Sequence, residues 1–159
     1  MTTTAGQATT QPTGSAAQVV TEFFAAYNRH DVDAMTELCS DNADFSYVPF
    51  EMWGKQRVVR GDGKVRTVGK VIWSGLINSF PDLFINVHTI DANERDVVVT
   101  CDIGGTQQIA WGPIAPAGKA YREPHLFVFH VDTDGRIDSI RAYWDGAGIN
   151  RQLGHLEVD

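Results

Sequence analysis

The sequence predicts a single α+β domain, in which a curved antiparallel sheet wraps around N-terminal helices like a cone and leaves one apolar pocket. Apolar residues recur at helical spacing near the N-terminus and again before Pro81. From residue 83 to residue 144 the chain instead carries β-branched segments separated by turn signals. Helices followed by a run of strands are typical of α+β domains and not of parallel, doubly wound sheets. A strongly twisted sheet around helices has one open mouth, where ligand pockets are favoured.

Length and composition agree with one globular domain. The chain has 159 residues, of which 43% are hydrophobic and 21% charged, with a formal net charge of −7. Residues 1–15 are rich in Thr, Gly and Gln and are expected to form a disordered tail, which leaves residues 16–159 as the domain. No basic run suits nucleic acid, and no apolar stretch has the roughly 20 residues that a membrane span needs. A cytoplasmic protein that binds neither is expected.

Three helices are expected before the main sheet. Ser15 can cap the first helix, and Asp31 the second. Pro81 ends the third helix. Their apolar faces are expected to carry Val20, Phe23, Phe24 and Tyr27 in the first helix, Val32, Met35, Leu38 and Cys39 in the second, and Val71, Ile72, Leu76 and Phe80 in the third.

Five segments are predicted to be strands. They are residues 43–48, 83–90, 97–103, 121–131 and 137–144. Residues 49–66 lack clean periodicity and are expected to form a long loop over the pocket, and Thr133-Asp134-Gly135 predicts a hairpin turn. Residues 150–156 could add a short helical cap.

Several short phrases, taken in order, resemble a known family. They are residues 19–28 with Asp31, Phe80-Pro81-Asp82-Leu83, Gly105-Thr106, Trp111-Gly112-Pro113 with Ala117-Gly118-Lys119, Asp134-Gly135-Arg136-Ile137, Trp144-Asp145 and Arg151-Gln152-Leu153-Gly154. They resemble the SnoaL-like polyketide cyclases and ester cyclases of the nuclear transport factor 2-like superfamily. The resemblance covers about residues 17–154 and implies the cone-shaped fold.

The function that this resemblance implies is cofactor-free acid/base catalysis on a small hydrophobic carbonyl compound, with polyketide-type cyclisation as the leading hypothesis. One alternative is an epoxide hydrolase or a dehydratase that uses the same pocket aspartate. Another is a non-catalytic small-molecule-binding module or a dimeric scaffold, because the superfamily also contains such proteins. The resemblance also implies a homodimer.

Asp145 is the first candidate catalytic residue. In the resembling cyclases and limonene epoxide hydrolases a carboxylate at the end of this strand faces the pocket as general acid or base. By strand alternation Arg141 and Tyr143 share its face, whereas Ile140, Ala142 and Trp144 point the other way. A carboxylate at the mouth of an apolar cavity has a raised pKa, which suits proton transfer near neutral pH. The alternative is that Asp145 caps the turn that follows.

His125 and Asp102 are the other catalytic candidates. His125 shares a strand face with Phe127 and Phe129 and could donate a hydrogen bond to a developing enolate, or it could be an ordinary core histidine. Asp102 interrupts a β-branched run and lies either beside Asp145 or Arg141, or in solvent. In an epoxide hydrolase, Asp102, Arg141 and Asp145 would converge on one water. The binding-module alternative predicts instead a salt-bridged Asp145 and a closed pocket.

The remaining candidates concern the pocket wall and metals. Gln107 stands where the family's Gly-Thr-His phrase has histidine, so it is a second candidate for the oxyanion. The histidines show no metal-ligand spacing, and Cys39 and Cys101 are expected to be buried thiols. The expected substrate-binding residues are Tyr27, Phe45, Tyr47, Trp53, Gln107, Trp111, Arg141 and Tyr143.

Overall fold

A computed structural model describes residues 15–48, 61–111 and 114–154 of the chain. The predicted tail, apart from Ser15, and Trp53 lie outside the described residues. The helices are α1 (Ala16–Asn28), α2 (Val32–Glu37), α3 (Lys70–Ser79) and α4 (Gly146–Gln152). The strands are β1 (Cys39–Val48), β2 (Gly61–Lys64), β3 (Phe84–Asn93), β4 (Asp96–Thr106), β5 (Ala120–Val131) and β6 (Ile137–Trp144).

The described strands form one six-stranded sheet in the order β2-β1-β6-β5-β4-β3. The α+β class and the curved sheet against N-terminal helices are confirmed, but the sheet is mixed. β1 and β6 run parallel, with Phe45 opposite Ile140, whereas every other described pair is antiparallel. The prediction of a purely antiparallel sheet is therefore wrong at this pair, since alternation within a strand says nothing about the direction of its neighbour.

Helix α1 supplies the centre of the core. Ser15 caps it as predicted, by accepting a hydrogen bond from the Gln18 amide at 3.1 Å. Phe23 and Phe24 are buried and meet Phe129 of β5 edge to face, at centroid distances of 5.3 and 5.7 Å. Such aromatic pairs hold the helix at a fixed angle to the concave face of the sheet.

The end of α1 is fastened to strand β3. The Asn28 side chain donates to the Ile85 carbonyl and accepts from the Ile85 amide, both at 2.8 Å. Two residues on, His30 adopts a positive φ of 60° and its Nε2 lies 2.7 Å from the Leu83 carbonyl. Asp31 then caps α2, as predicted, through the Ala34 amide. The last turn of α1, which carries Tyr27, is thereby held over the sheet.

Two sequence predictions between β1 and β3 need correction. Residues 61–64, placed in the predicted loop, form strand β2, which pairs with β1. A single π-helical turn, Val65–Gly69, then leads into α3. In α3, Trp73 is buried whereas Val71 is 71% exposed, so the prediction that Val71 belongs to the buried face is wrong. None of the described helices is long and apolar enough to span a membrane.

Candidate active site

A cavity of about 170 Å³ lies between the concave face of the sheet and helices α1, α3 and α4. Most of its wall is aromatic or aliphatic, and among the described residues no Asp, Glu, Lys or Arg side chain lines it. Four polar side chains in the lining bear on the chemistry of the cavity: Tyr27, Tyr121, His125 and Asn150. An apolar cleft with a few convergent polar groups is the usual form of a small-molecule site.

Five of the predicted site residues lie in this wall. They are Tyr27, Phe45, Tyr47, Trp111 and His125. Trp111 reaches the cavity because Gly75 of α3 leaves room for its ring: a Cβ at position 75 would lie 2.7 Å from it. Its backbone exchanges two 3.0 Å hydrogen bonds with that of Ile114, which fixes the loop it belongs to.

His125 is held in a ladder of parallel rings on the concave face. Its imidazole stacks on Phe127, with a centroid distance of 6.2 Å, and on Trp144, at 5.3 Å. Trp144 in turn stacks on Tyr47 at 6.0 Å. The histidine is only 9% exposed, and burial lowers its pKa to about 4 against the opposing effect of its bond to the Glu123 carbonyl. At neutral pH the imidazole is therefore uncharged.

The hydrogen bond of His125 fixes which ring nitrogen carries the proton. Nδ1 lies 2.9 Å from the backbone carbonyl of Glu123. A carbonyl oxygen can only accept, so Nδ1 is the donor and Nε2 of the neutral ring keeps its lone pair. Nε2 has no hydrogen-bond partner among the described residues. Nε2 can therefore accept a hydrogen bond from a ligand, whereas the sequence predicts His125 as a hydrogen-bond donor.

Tyr27 and Tyr121 bring two phenol groups to the same cavity. They are 1% and 5% exposed, and neither hydroxyl makes a hydrogen bond within the described residues. Burial raises the pKa of both hydroxyls well above the ordinary value, and at Tyr27 the nearby Tyr121 adds to the effect. Both therefore remain protonated donors at neutral pH. The sequence analysis missed Tyr121, although it shares the alternation of His125 and Phe127.

Asn150 is a second polar residue that the sequence analysis did not single out. It is 3% exposed and lines the cavity from α4, and its buried Nδ2 has no hydrogen-bond partner within the described part of the chain. Residue 150 was predicted to begin the terminal helix, but α4 begins four residues earlier, at Gly146. With this earlier start, position 150 lies on the side of α4 that faces the cavity.

Asp145 does not line the cavity. It is exposed and its carboxylate accepts a 2.9 Å hydrogen bond from the Gly148 amide, which makes it the N-cap of α4. This is the capping alternative that the sequence left open. The expected pocket-facing placement of Asp145 is wrong, because the chain leaves β6 and turns into the helix at this residue. Its catalytic role stays a prediction without geometric support.

Arg141 and Tyr143 lie on the convex face of the sheet. The alternation along β6 is as predicted, but Ala142 and Trp144 are the residues that line the cavity. Arg141 Nη1 donates to the Tyr143 hydroxyl at 3.4 Å on the other side. Their placement in the pocket is therefore wrong, because the apolar set of a strand faces the core and the polar set does not.

Asp102 also lies on the convex face. Its Oδ2 is 2.8 Å from Arg122 Nε and 3.3 Å from His88 Nε2, and these bonds lower the pKa of the carboxyl, with the Arg122 bond contributing most. In the sheet Asp102 is opposite Pro124, whereas Arg141 is opposite Val128. Asp102, Arg141 and Asp145 therefore do not converge on one water, as an epoxide hydrolase of that design requires.

Gln107 supports the loop and is not part of the lining. It is 1% exposed, and its Nε2 donates to the carbonyls of Ile109 at 3.2 Å and Ile114 at 2.8 Å. Its expected role as an oxyanion donor does not fit this arrangement, since both of its amide hydrogens are engaged. Cys39 and Cys101 are buried free thiols, as predicted. Within residues 15–48, 61–111 and 114–154, no cluster of His, Cys, Asp and Glu could hold a metal ion.

Comparisons with known proteins agree with this architecture. A family model described as a SnoaL-like domain matches residues 20–146. No curated protein sequence matches the chain at a significant level. Many solved structures share the fold.

Three solved structures illustrate the likeness. IdmH from Streptomyces antibioticus, provisionally named a polyketide cyclase, has a TM-score of 0.70 and 22% identity over 87% of this chain and 98% of its own. AclR from Streptomyces galilaeus, provisionally named a hydroxylase, has a TM-score of 0.70 and 19% identity over 90% and 87%. SalBIII, described as an epoxide hydrolase/cyclase-like enzyme in pyran ring formation in polyether salinomycin, has a TM-score of 0.61 and 21% identity over 84% and 92%. At these identities the likeness is one of fold.

Proposed function

The chain belongs to the SnoaL-like domain family, and from that membership we propose that it is an enzyme that moves a proton at a carbon next to a carbonyl group of a small, uncharged, hydrophobic compound. The observation that carries the proposal is the orientation of His125. Its Nδ1 donates a hydrogen bond to the Glu123 carbonyl, so Nε2 keeps its lone pair, and the side chain lines an aromatic cavity. A base held in that way needs no cofactor to accept a proton.

The proposed reaction is an intramolecular ring closure. Nε2 of His125 takes the proton of an acidic C–H, and the electron pair of that bond becomes an enolate. The enolate carbon attacks a second carbonyl carbon of the same molecule and forms a C–C bond. The imidazolium then returns its proton to the new alkoxide oxygen. Substrate and product are isomers, so no oxidant, reductant or co-reactant is consumed.

The environment of His125 restricts the substrate. Each unit by which the pKa of the carbon acid exceeds that of the imidazolium adds about 1.4 kcal/mol to the cost of proton transfer. With an imidazolium pKa of about 4, the C–H must be acidified by two groups, such as two carbonyls or a carbonyl and an aromatic ring. The same low pKa makes the imidazolium a strong acid, which favours the return of the proton.

The cavity also bears on the rival functions. A scaffold or inert module was expected to have its pocket packed shut by aromatic side chains, but a volume of about 170 Å³ remains open. The absence of charged side chains among the described lining residues disfavours anionic and cationic ligands, because a buried charge without a partner is costly. The open, uncharged cavity therefore favours a neutral substrate.

The test is hydrogen–deuterium exchange at C1 of 2-tetralone, a compact neutral ketone whose C1–H is acidified by a carbonyl and a ring. The protein is expected to accelerate this exchange in D2O, as followed by proton NMR. His125→Phe keeps the stacked ring and removes the base, so it should lower the protein-dependent rate by about 100-fold or more.

The matched control is Asp145→Asn, which removes the carboxylate while Asn remains a good N-cap. It should change the exchange rate by less than about three-fold. If Asp145→Asn abolishes exchange and His125→Phe does not, Asp145 is the base and the proposal for His125 is wrong. If the wild-type chain catalyses no exchange, the proposed chemistry fails for this class of ketone.

A further inference from the structure

Resting on the proposed function, we propose that Tyr27 and Tyr121 form one oxygen-binding site, whose two hydroxyls donate to the same carbonyl oxygen of the ligand and thereby select enolisable ketones. Sequence patterns predict Tyr27 only as pocket lining and do not indicate Tyr121. Nothing in the comparisons assigns either residue a role.

Neither hydroxyl has a hydrogen-bond partner among the described residues, and both side chains line the cavity. The side chains of Tyr27 and Tyr121 are almost completely buried. Even so, neither hydroxyl is among the fully enclosed, unpartnered polar atoms of the described residues. A phenol in such a place has lost water as a partner and gains most from an acceptor carried by the ligand.

The two tyrosines line the same cavity as His125. A charge on Tyr121 or on Cys101 would raise the pKa of the Tyr27 hydroxyl. Cys101 is the cross-strand neighbour of His125. Tyr121 lies on the same face of β5 as His125, about 13 Å away along the strand at roughly 3.3 Å per residue. In the proposed complex, a carbonyl oxygen next to the acidic C–H lies in the cavity that Tyr27, Tyr121 and His125 share.

Packing fixes the direction of both rings. The Tyr121 ring meets Phe80 edge to face at 5.0 Å, and a Cβ at Gly104 would come within 2.3 Å of the Tyr121 carbonyl oxygen, so only glycine lets the strands approach here. The Tyr27 ring lies against Phe23 and Trp73, both at centroid distances of 6.4 Å. Donors that packing holds rigidly favour an oxygen on which negative charge develops, because no reorganisation is needed during reaction.

The experiment compares the binding of 2-tetralone with that of tetralin, the same skeleton without the oxygen, by tryptophan fluorescence titration of the full chain. The readout is the ratio of the two dissociation constants. Tyr27→Phe and Tyr121→Phe each delete one hydroxyl and keep the ring. Each should lower the preference for the ketone by about 5- to 30-fold. The double variant should lose less than the product of the two single losses, because both hydroxyls serve one oxygen.

Tyr143→Phe is the matched control, since it also deletes one tyrosine hydroxyl but lies on the convex face of the sheet, outside the cavity. It should leave the ratio within about two-fold of the wild type. A second readout is the infrared carbonyl stretch of bound 2-tetralone, which should lie at lower frequency in the wild type and shift back in the two tyrosine variants. A tyrosine with only a packing role would move neither readout.

Several results would overturn the inference. These are an unchanged ratio in both single variants, single losses that multiply in the double variant, or no saturable binding of the ketone to the wild type. The test is independent of proton transfer, because His125→Phe should retain the ketone preference even though it has lost exchange. Loss of exchange together with a retained preference identifies His125 as the base and leaves the oxygen site intact.

Discussion

At the scale of single residues, the surroundings of a side chain decide its chemistry more than its type does. His125 is confined by two stacked rings and by one carbonyl, and this combination keeps it neutral and determines its tautomer. Asp102, by contrast, is a carboxylate in a sheet strand that is committed to Arg122 on the convex face. Of the two candidates, only the histidine has a free lone pair next to a cavity among the described residues.

The buried histidine should make the stability of the protein depend on pH. An unfolded chain binds a proton at residue 125 below about pH 6.5, whereas the folded chain does so only near pH 4. As the pH falls through this window the unfolded state holds more protons, so the free energy of unfolding should fall, by about 3 kcal/mol in total from this residue. Above pH 6.5 the contribution is constant.

Urea unfolding of the wild type and of His125→Phe between pH 7.5 and pH 4 checks this prediction. The loss of stability on acidification should be smaller in the variant by about the same 3 kcal/mol. Tyr47→Phe, which changes the same ring ladder without removing an imidazole, should shift the whole curve in parallel. Identical pH dependence in His125→Phe and the wild type would contradict the neutral, buried state of the histidine.

At the scale of secondary-structure elements, helix α4 depends on its first residue. It is seven residues long and its cap is the Asp145 carboxylate on the Gly148 amide. Its other end is tied to β5 by Gln152, which accepts from the Arg122 amide and donates to the Glu123 carboxylate, both at 2.9 Å. Since α4 carries Ile149 and Asn150 to the cavity, these bonds at its two ends hold one wall of the site.

Removal of the cap should therefore loosen that wall. Asp145→Ala is expected to cost about 1 kcal/mol in the free energy of unfolding, and Asp145→Asn only a few tenths. Urea unfolding gives both values, and faster hydrogen exchange of the α4 amides in Asp145→Ala should locate the effect. Equal losses in the two variants would mean that the charge of Asp145, and not its capping oxygen, stabilises the helix.

The elements also show what sequence patterns can and cannot predict. Alternation along β5 correctly predicts that His125, Phe127 and Phe129 share one face, because large apolar residues mark the core side of that strand. Along β6 the alternation was right but the pocket was assigned to the polar side, on a family analogy for Asp145. Asn150 was missed because the start of α4 depends on a cap that only the backbone geometry reveals.

At the scale of the whole molecule, the buried thiols report on the integrity of the core. Cys39 and Cys101 are 0% and 1% exposed, and burial raises the pKa of both thiols to about 12. The thiolate is the reactive form, so both cysteines should be inert to Ellman's reagent in the native protein at pH 8. Both should react at once in concentrated urea, and labelling in intermediate urea should follow unfolding. Rapid native labelling of one thiol would indicate a local opening of the sheet around it.

The parallel contact between β1 and β6 has a further consequence for how the chain reaches this structure. Residues 39–48 form the second strand from one edge of the sheet. One of their two strand partners is residues 137–143, almost a hundred positions later. A chain emerging from the ribosome can make the β3–β4–β5 meander early, but β1 keeps one side unpaired until the last strand is synthesised. Such distant pairing raises contact order and slows folding. During synthesis, β1 therefore has an unpaired backbone edge, and this is the stage at which self-association is hardest to avoid.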